Sequence, residues 1–154
     1  MAIREIVSYT DEFIRRQSKP VKSFDEKLWE LLDDMHETLE EKMGAGLSAV
    51  QVGVLKNVFI TKINNMEMEF VNPVITKVSG EQYKKEGCLS VALPFEYVKR
   101  PFKVTVEAYD RYGNPFTFTC QDWTAVCICH EYDHLQGTLY IDKVCVPPKG
   151  KAEE

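Results

Sequence analysis

No run in these 154 residues is long and apolar enough to span a bilayer. The opening Met1-Ala2-Ile3-Arg4-Glu5-Ile6 has neither the apolar core nor the cleavage site of a signal peptide, so export is not expected. Positive charge is also short. The formal net charge is −5, which argues against nucleic acid or an anionic membrane held by bulk charge. Internal repeats and low-complexity segments are absent. The cysteines are Cys88, Cys120, Cys127, Cys129 and Cys145. An odd number without an export signal favours reduced thiols in a cytoplasm, and one thiolate could be a metal ligand. The length suits one domain with a real core. Histidine is scarce too: there are three in all.

Two of those three stand in the stretch Val126–Gly137, which contains His130-Glu131-Tyr132-Asp133-His134. This is an H-E-x-x-H pattern. On a helix, residues four apart share a face, so both imidazoles can reach one metal ion. Glu131 can lean over the same site and handle water held there. Asp122 can cap the start of this helix, Gly137 can end it, and no proline interrupts. Val126 to Cys129 offer no polar face, so the helix is expected to be buried. Two histidines and a glutamate in a core are costly unless something satisfies them, and a metal does so. The pattern alone is shared by many metallohydrolases and does not name a reaction.

The rest of the chain gives the fold. Residues 1–22 read as an irregular opening with one short helical turn, Thr10 capping Asp11–Arg16. Ser23-Phe24-Asp25-Glu26 matches a capping box. Leu28, Leu31, Leu32, Met35, Leu39 and Met43 then recur at helical spacing, with Asp33, Asp34, Glu37 and Glu40 turned to water. His36 reads as a surface histidine, and Gly44 ends this N-terminal amphipathic helix. Gly44–Gly53 is a loop of small residues whose backbone must bend and sit close to something. It is not a P-loop, because no Gly-Lys-Ser/Thr follows. Strand patterns cover Asn57–Ile63, Glu67–Val71 and, beyond a break at Pro73, Val74–Val78. A hairpin of Lys103–Tyr109 with Pro115–Gln121 follows, and Thr138–Val144 reads as a last strand. Trp123, Tyr132 and Tyr140 are expected to pack as buried aromatics. The fold class is α+β, with mostly antiparallel strands packed around a central metal-binding helix. Residues 1–146 form the domain, and residues 147–154 are a polar tail.

A catalytic site of this type needs a third protein ligand and one open position. Cys127 shares a helix face with His130. Three ligands on consecutive turns of one helix would strain to surround an ion, so Cys127 fits better as pocket wall. Cys129 points about a quarter-turn away from the ligand face. Cys88 follows Gly87 on a separate element and is an easier ligand geometrically. On spacing alone, both Cys88 and Cys127 stay open. The function is equally open at this point between a hydrolase, an H-E-x-x-H peptidase, and a structural ion whose fourth position Cys127 fills.

Three stretches together resemble the peptide deformylases, which carry in order a G-x-G-x-A-A-x-Q-type loop, E-G-C-L-S and H-E-x-x-H. Here they read Gly44-Ala45-Gly46-Leu47-Ser48-Ala49-Val50-Gln51, Glu86-Gly87-Cys88-Leu89-Ser90 and His130-Glu131-Tyr132-Asp133-His134. The resemblance spans nearly the whole chain. It implies a catalytic domain that removes the N-formyl group from N-formylmethionine of nascent peptides in the cytoplasm, near the ribosomal exit tunnel, with release of formate. It implies Cys88, His130 and His134 as metal ligands and Glu131 as general base. Gln51 and the backbone N–H of Leu89 become the donors to the formyl oxygen. The expected ion is ferrous iron, with zinc, nickel or cobalt able to substitute. Substrate methionine is expected against Ala45, Val126 and Cys127, and the peptide backbone along Gly44, Gly46 and Leu89. Glu86 is expected behind the site, paired with Arg100, and Asp133 to be structural.

Four departures from the family pattern stand out. Ser48 replaces the first alanine of the loop motif, and Ala92-Leu93-Pro94 follows Val91 where a proline is usual. Cys129 replaces a glutamine before the first histidine, and the tail is short. None of these is expected to touch a ligand or the base.

Overall fold

The computed structural model describes residues 2–151. Helix α1 spans Glu26–Lys42 and helix α2 spans Trp123–Leu135. Seven strands lie around them: β1 Gly46–Ser48, β2 Val58–Ile63, β3 Met66–Ser79, β4 Gln82–Cys88, β5 Val91–Arg100, β6 Lys103–Tyr109 and β7 Pro115–Gln121. All pairings are antiparallel. One sheet runs β1-β2-β3-β6-β7, and β4 with β5 forms a second. Among the described residues no helix is long and apolar enough to cross a membrane.

Strand β2 explains where the helices sit. Its side chains alternate across the sheet. Val58 and Ile60 join a buried cluster with Leu28, Leu32, Met35 and Leu39 of α1. Phe59 faces the other way, stacks on Phe70 at 4.7 Å between ring centres, and joins Ala125, Ile128 and Leu135 of α2. The two helices therefore cover opposite faces of the same strand. A third cluster ties the β4–β5 sheet, through Val91 and Val98, to Ile14, Leu139 and Tyr140.

The structure corrects several local expectations. Asp11, not Thr10, caps the first short turn, Glu12–Arg15. Asp25, not Ser23, caps α1 by accepting a bond from the Leu28 N–H. A carboxylate directly before the first turn is the nearer acceptor. Met43 leaves the apolar stripe: it sits in the left-handed region at φ 54° and is 91% exposed. Asp34 is buried, because Arg4 folds across α1 and binds its carboxylate at 2.7 Å. His36 is no free surface group, since its Nε2 lies 2.8 Å from Glu69. Pro73 does not end a strand. β3 runs on while its pairing passes from β2 to β6, and the residue without an N–H falls at the register shift. Asn72 takes φ 50° there and binds both backbone groups of Val21 through its side chain. Residues 138–144 are not a strand. Asp142 accepts from the Leu139 N–H and closes a 3-10 turn over Tyr140–Asp142, leaving a single bridge between Val98 and Val144. The β4–β5 hairpin is a second sheet that the sequence pattern does not mark.

Candidate active site

Three elements converge at the motif residues. The first is β1, the edge of the large sheet, with the 3-10 turn Ala49–Val52 that follows it. The second is the end of β4. A tight turn at Leu89-Ser90 lets Cys88 pair with Val91 and leaves the Cys88 thiol at the strand terminus. The third is α2, which carries His130, Glu131 and His134, all buried. Asp122 does not cap α2 with its side chain. Its backbone sits at φ 60°, and its carboxylate turns to Lys84 at 2.9 Å.

Cys88, His130 and His134 present one sulfur and two ring nitrogens that all lie within 4.8 Å of one another. The Cys88 sulfur is 3.3 Å from His134 Nε2. Ligands at tetrahedral angles around one ion, bonded at about 2.0–2.3 Å, stand about 3.3–3.6 Å apart. Cys127 is outside this group and lines the cleft, and Cys129 packs into the core beneath α2.

The ring nitrogens are assigned by their neighbours. His130 Nδ1 is 2.8 Å from Glu86 Oε1. A carboxylate accepts only, so Nδ1 carries a hydrogen and Nε2 is the ring nitrogen turned to the cluster. Glu86 is itself held by Arg100, through Nε at 2.8 Å and Nη2 at 2.9 Å. Arg100 reaches Asp133 at 2.6 Å, and Lys143 joins that carboxylate at 2.9 Å. Asp133 thus anchors α2 to the second sheet and faces away from the cluster.

Electrostatics follow from this arrangement. Burial alone would lower the His130 pKa, but the hydrogen bonds to Cys88 and Glu86 and the charge of Glu131 raise it to about 10. The same negative field favours a cation among these groups. Burial and the neighbouring His130 push His134 far down, so it stays neutral. Burial pushes the Glu131 carboxyl up, against the pull of His130 and a hydrogen bond from Ser48. Glu86 goes the other way: Arg100 and His130 overcome its burial and hold it below the usual carboxylate range. Burial raises the Cys129 thiol to about 11, so this cysteine is a poor thiolate at neutral pH.

Gln51 is oriented rather than free. Its Oε1 accepts from the Ser48 N–H at 2.9 Å, which turns its amide nitrogen to Ser90 Oγ at 3.0 Å and Cys88 Sγ at 3.5 Å. Ser90 was not singled out in the sequence, although it lies inside the second motif. The cleft above the cluster holds about 350 Å³, with Gly44, Ala45 and Gly46 on one wall, Leu89 on another, and Val126 and Cys127 on α2. Its rim carries three apolar side chains that the sequence placed elsewhere or passed over: Met43, Phe95, which is 66% exposed, and Trp123, which is 43% exposed rather than packed. Ser48 touches Glu131, contrary to expectation: its Oγ lies 2.9 Å from Glu131 Oε1.

A model of the polypeptide deformylase family matches residues 3–149. The peptide deformylase of Caldicellulosiruptor bescii is 48% identical over 94% of this chain and 87% of its own length. That of Acetivibrio thermocellus is 46% identical over 94% and 85%. Among solved structures, the enzyme of Legionella pneumophila superposes with a TM-score of 0.90 at 41% identity, over 94% of this chain and 87% of that one. The Thermotoga maritima enzyme gives 0.92 at 30% identity, over 95% and 100%. Sequence and backbone agree along nearly the full length, and this chain belongs to the peptide deformylase family.

Proposed function

We propose that this protein is a metal-dependent hydrolase that removes the formyl group from N-formylmethionine at the start of newly synthesised peptides, with Cys88, His130, His134 and Glu131 as its working centre. One observation carries the reading. A thiol and two imidazoles, from β4 and α2, lie within 4.8 Å of one another, with a buried carboxylate on the same helix beside them, in a chain of this family.

Cys88 as thiolate, with the Nε2 atoms of His130 and His134, would hold one divalent ion, making α2 the metal-binding helix. When bound, the ion supplies Lewis-acid activation of water and of the formyl carbonyl. We assign ferrous iron as the native ion, and the same donors accept zinc, nickel or cobalt. Glu131 takes a proton from the attacking water and returns it to the departing α-amine. The formyl C–N bond breaks, and formate and a free amine leave. As negative charge grows on the formyl oxygen, the Gln51 amide N–H and the Leu89 backbone N–H donate to it, each donor worth about 3 kcal/mol. The Ser48 and Ser90 contacts hold the Gln51 donor in the required sense.

The methionine side chain lies against Ala45, Val126 and Cys127. The peptide backbone adds as a strand along Gly44, Gly46 and Leu89, since β1 is a sheet edge. The substrates place the protein in the cytoplasm, near the ribosomal exit tunnel. The catalytic unit is residues 1–146.

Metal stoichiometry tests the ligand set. The purified protein should bind one divalent ion per chain, and Cys88→Ala and His134→Ala should each lose it while staying folded. Full metal content in Cys88→Ala would remove the thiolate from the site.

A further inference from the structure

Ser48 is completely buried, and both of its polar ends are spent on the working groups of the cleft. Its backbone N–H holds Gln51 Oε1 at 2.9 Å. Its hydroxyl lies 2.9 Å from Glu131 Oε1 and also 2.9 Å from the Glu131 backbone carbonyl. A hydroxyl has one proton, so it donates to one of these oxygens at a time. The backbone carbonyl of a helix interior already has a partner along the helix, whereas the carboxylate is the stronger acceptor. The opposite side of the Glu131 side chain is closed by Gly46. A Cβ built there would fall 2.7 Å from Glu131 Oε2 and 2.8 Å from its Cγ. The carboxylate is thus held between a hydroxyl on one side and bare backbone on the other. Oε2 receives no hydrogen bond from the described residues, and Glu131 lines the cleft.

We infer that Ser48 is a positioning residue: its hydroxyl fixes Glu131 Oε1 so that Oε2 is presented to the reacting water. Alanine at this position would pack in the same space but leave the carboxylate rotor unheld. The inference rests on the reading of Glu131 as general base.

The test compares formate release by the metal-loaded protein with its Ser48→Ala, Glu131→Ala and doubly substituted variants. Ser48→Ala should keep metal content and KM within about twofold and lower kcat about tenfold, as expected for one lost charge-assisted hydrogen bond. A crystal structure of Ser48→Ala should show the Glu131 carboxylate rotated or in two conformers. Added to Glu131→Ala, the Ser48 change should cost nothing further, because the group it acts through is gone. Ser48→Cys, near-isosteric with a weak donor, should fall between parent and Ser48→Ala. Unchanged kcat in Ser48→Ala, or the same loss in the Glu131→Ala background, would overturn the inference. Retained turnover in Glu131→Ala would instead overturn the reading of the base.

Discussion

Glu131 is the side chain that Ser48 and Gly46 both meet. It is 5% exposed, next in sequence to a histidine whose ring is already committed to Glu86. Gly46 makes room for it, so Gly46→Ala should displace the carboxylate and lower kcat at least tenfold while metal binding persists. Steady-state kinetics with a parallel metal assay would show this, and a fully active variant would mean the carboxylate has more freedom than its packing allows. Glu86 acts one layer further out. Glu86→Gln keeps the shape but loses the charge that orders His130 Nδ1 and pairs Arg100. Metal affinity should drop 10–100-fold, read by competition with a chelator of known affinity. The grouping of Cys88, His130 and His134 was legible in the sequence, because metal chemistry restricts residue type and the i, i+4 spacing is a helix property. The Ser48 contact was not. A serine among small residues looks like a neutral exchange until the chain brings it against a helix far along the sequence.

Among the elements, α1 is held at both ends of its polar range. Leu28, Leu32, Met35 and Leu39 bury one stripe against β1 and β2. Leu32→Ala should cost about 2–5 kcal/mol in urea unfolding, since a fully buried leucine leaves a cavity. On the other face His36 and Arg111 clasp Glu69 of β3. Burial tends to raise the Glu69 pKa, but the hydrogen bonds from His36 and Arg111 win and lower it from 4.5 to about 2. A depressed carboxylate stabilises the fold above its unfolded pKa and loses that contribution as pH falls from about 4.5 to about 2. The melting temperature should therefore decline across that window, and Glu69→Gln should flatten the decline. An identical acid profile in that variant would assign the sensitivity elsewhere. The amphipathic period made α1 readable, but not the burial of Asp34, which depends on Arg4 from a distant segment. The β4–β5 hairpin escaped notice because charged residues such as Lys84, Lys85 and Glu86 break its alternation. Two of these are spent on ion pairs, Lys84 with Asp122 and Glu86 with Arg100.

At the scale of the whole molecule, the N-terminal segment binds the motif loops together. The Val7 N–H donates to the Gln51 carbonyl at 2.7 Å, the Tyr9 N–H to Ser90 at 2.8 Å, and the Ser18 N–H to the last turn of α2 at 3.0 Å. This strap is invisible in the sequence, since backbone bonds leave no mark on side-chain pattern. The three motifs could be aligned from sequence, yet only the fold shows how edge strand, hairpin end and buried helix share one cleft. The proposed function has this cleft deformylate peptides through a bound ion. Its most direct test is formate release from N-formyl-Met-Ala-Ser by protein purified without oxygen and loaded with iron or nickel. Release should be rapid, abolished by a chelator and restored by added metal, and Glu131→Ala should reduce it about 100-fold or more with its metal retained. Folded, metal-loaded protein that releases no formate, or release that continues unchanged in the chelated protein, would contradict it.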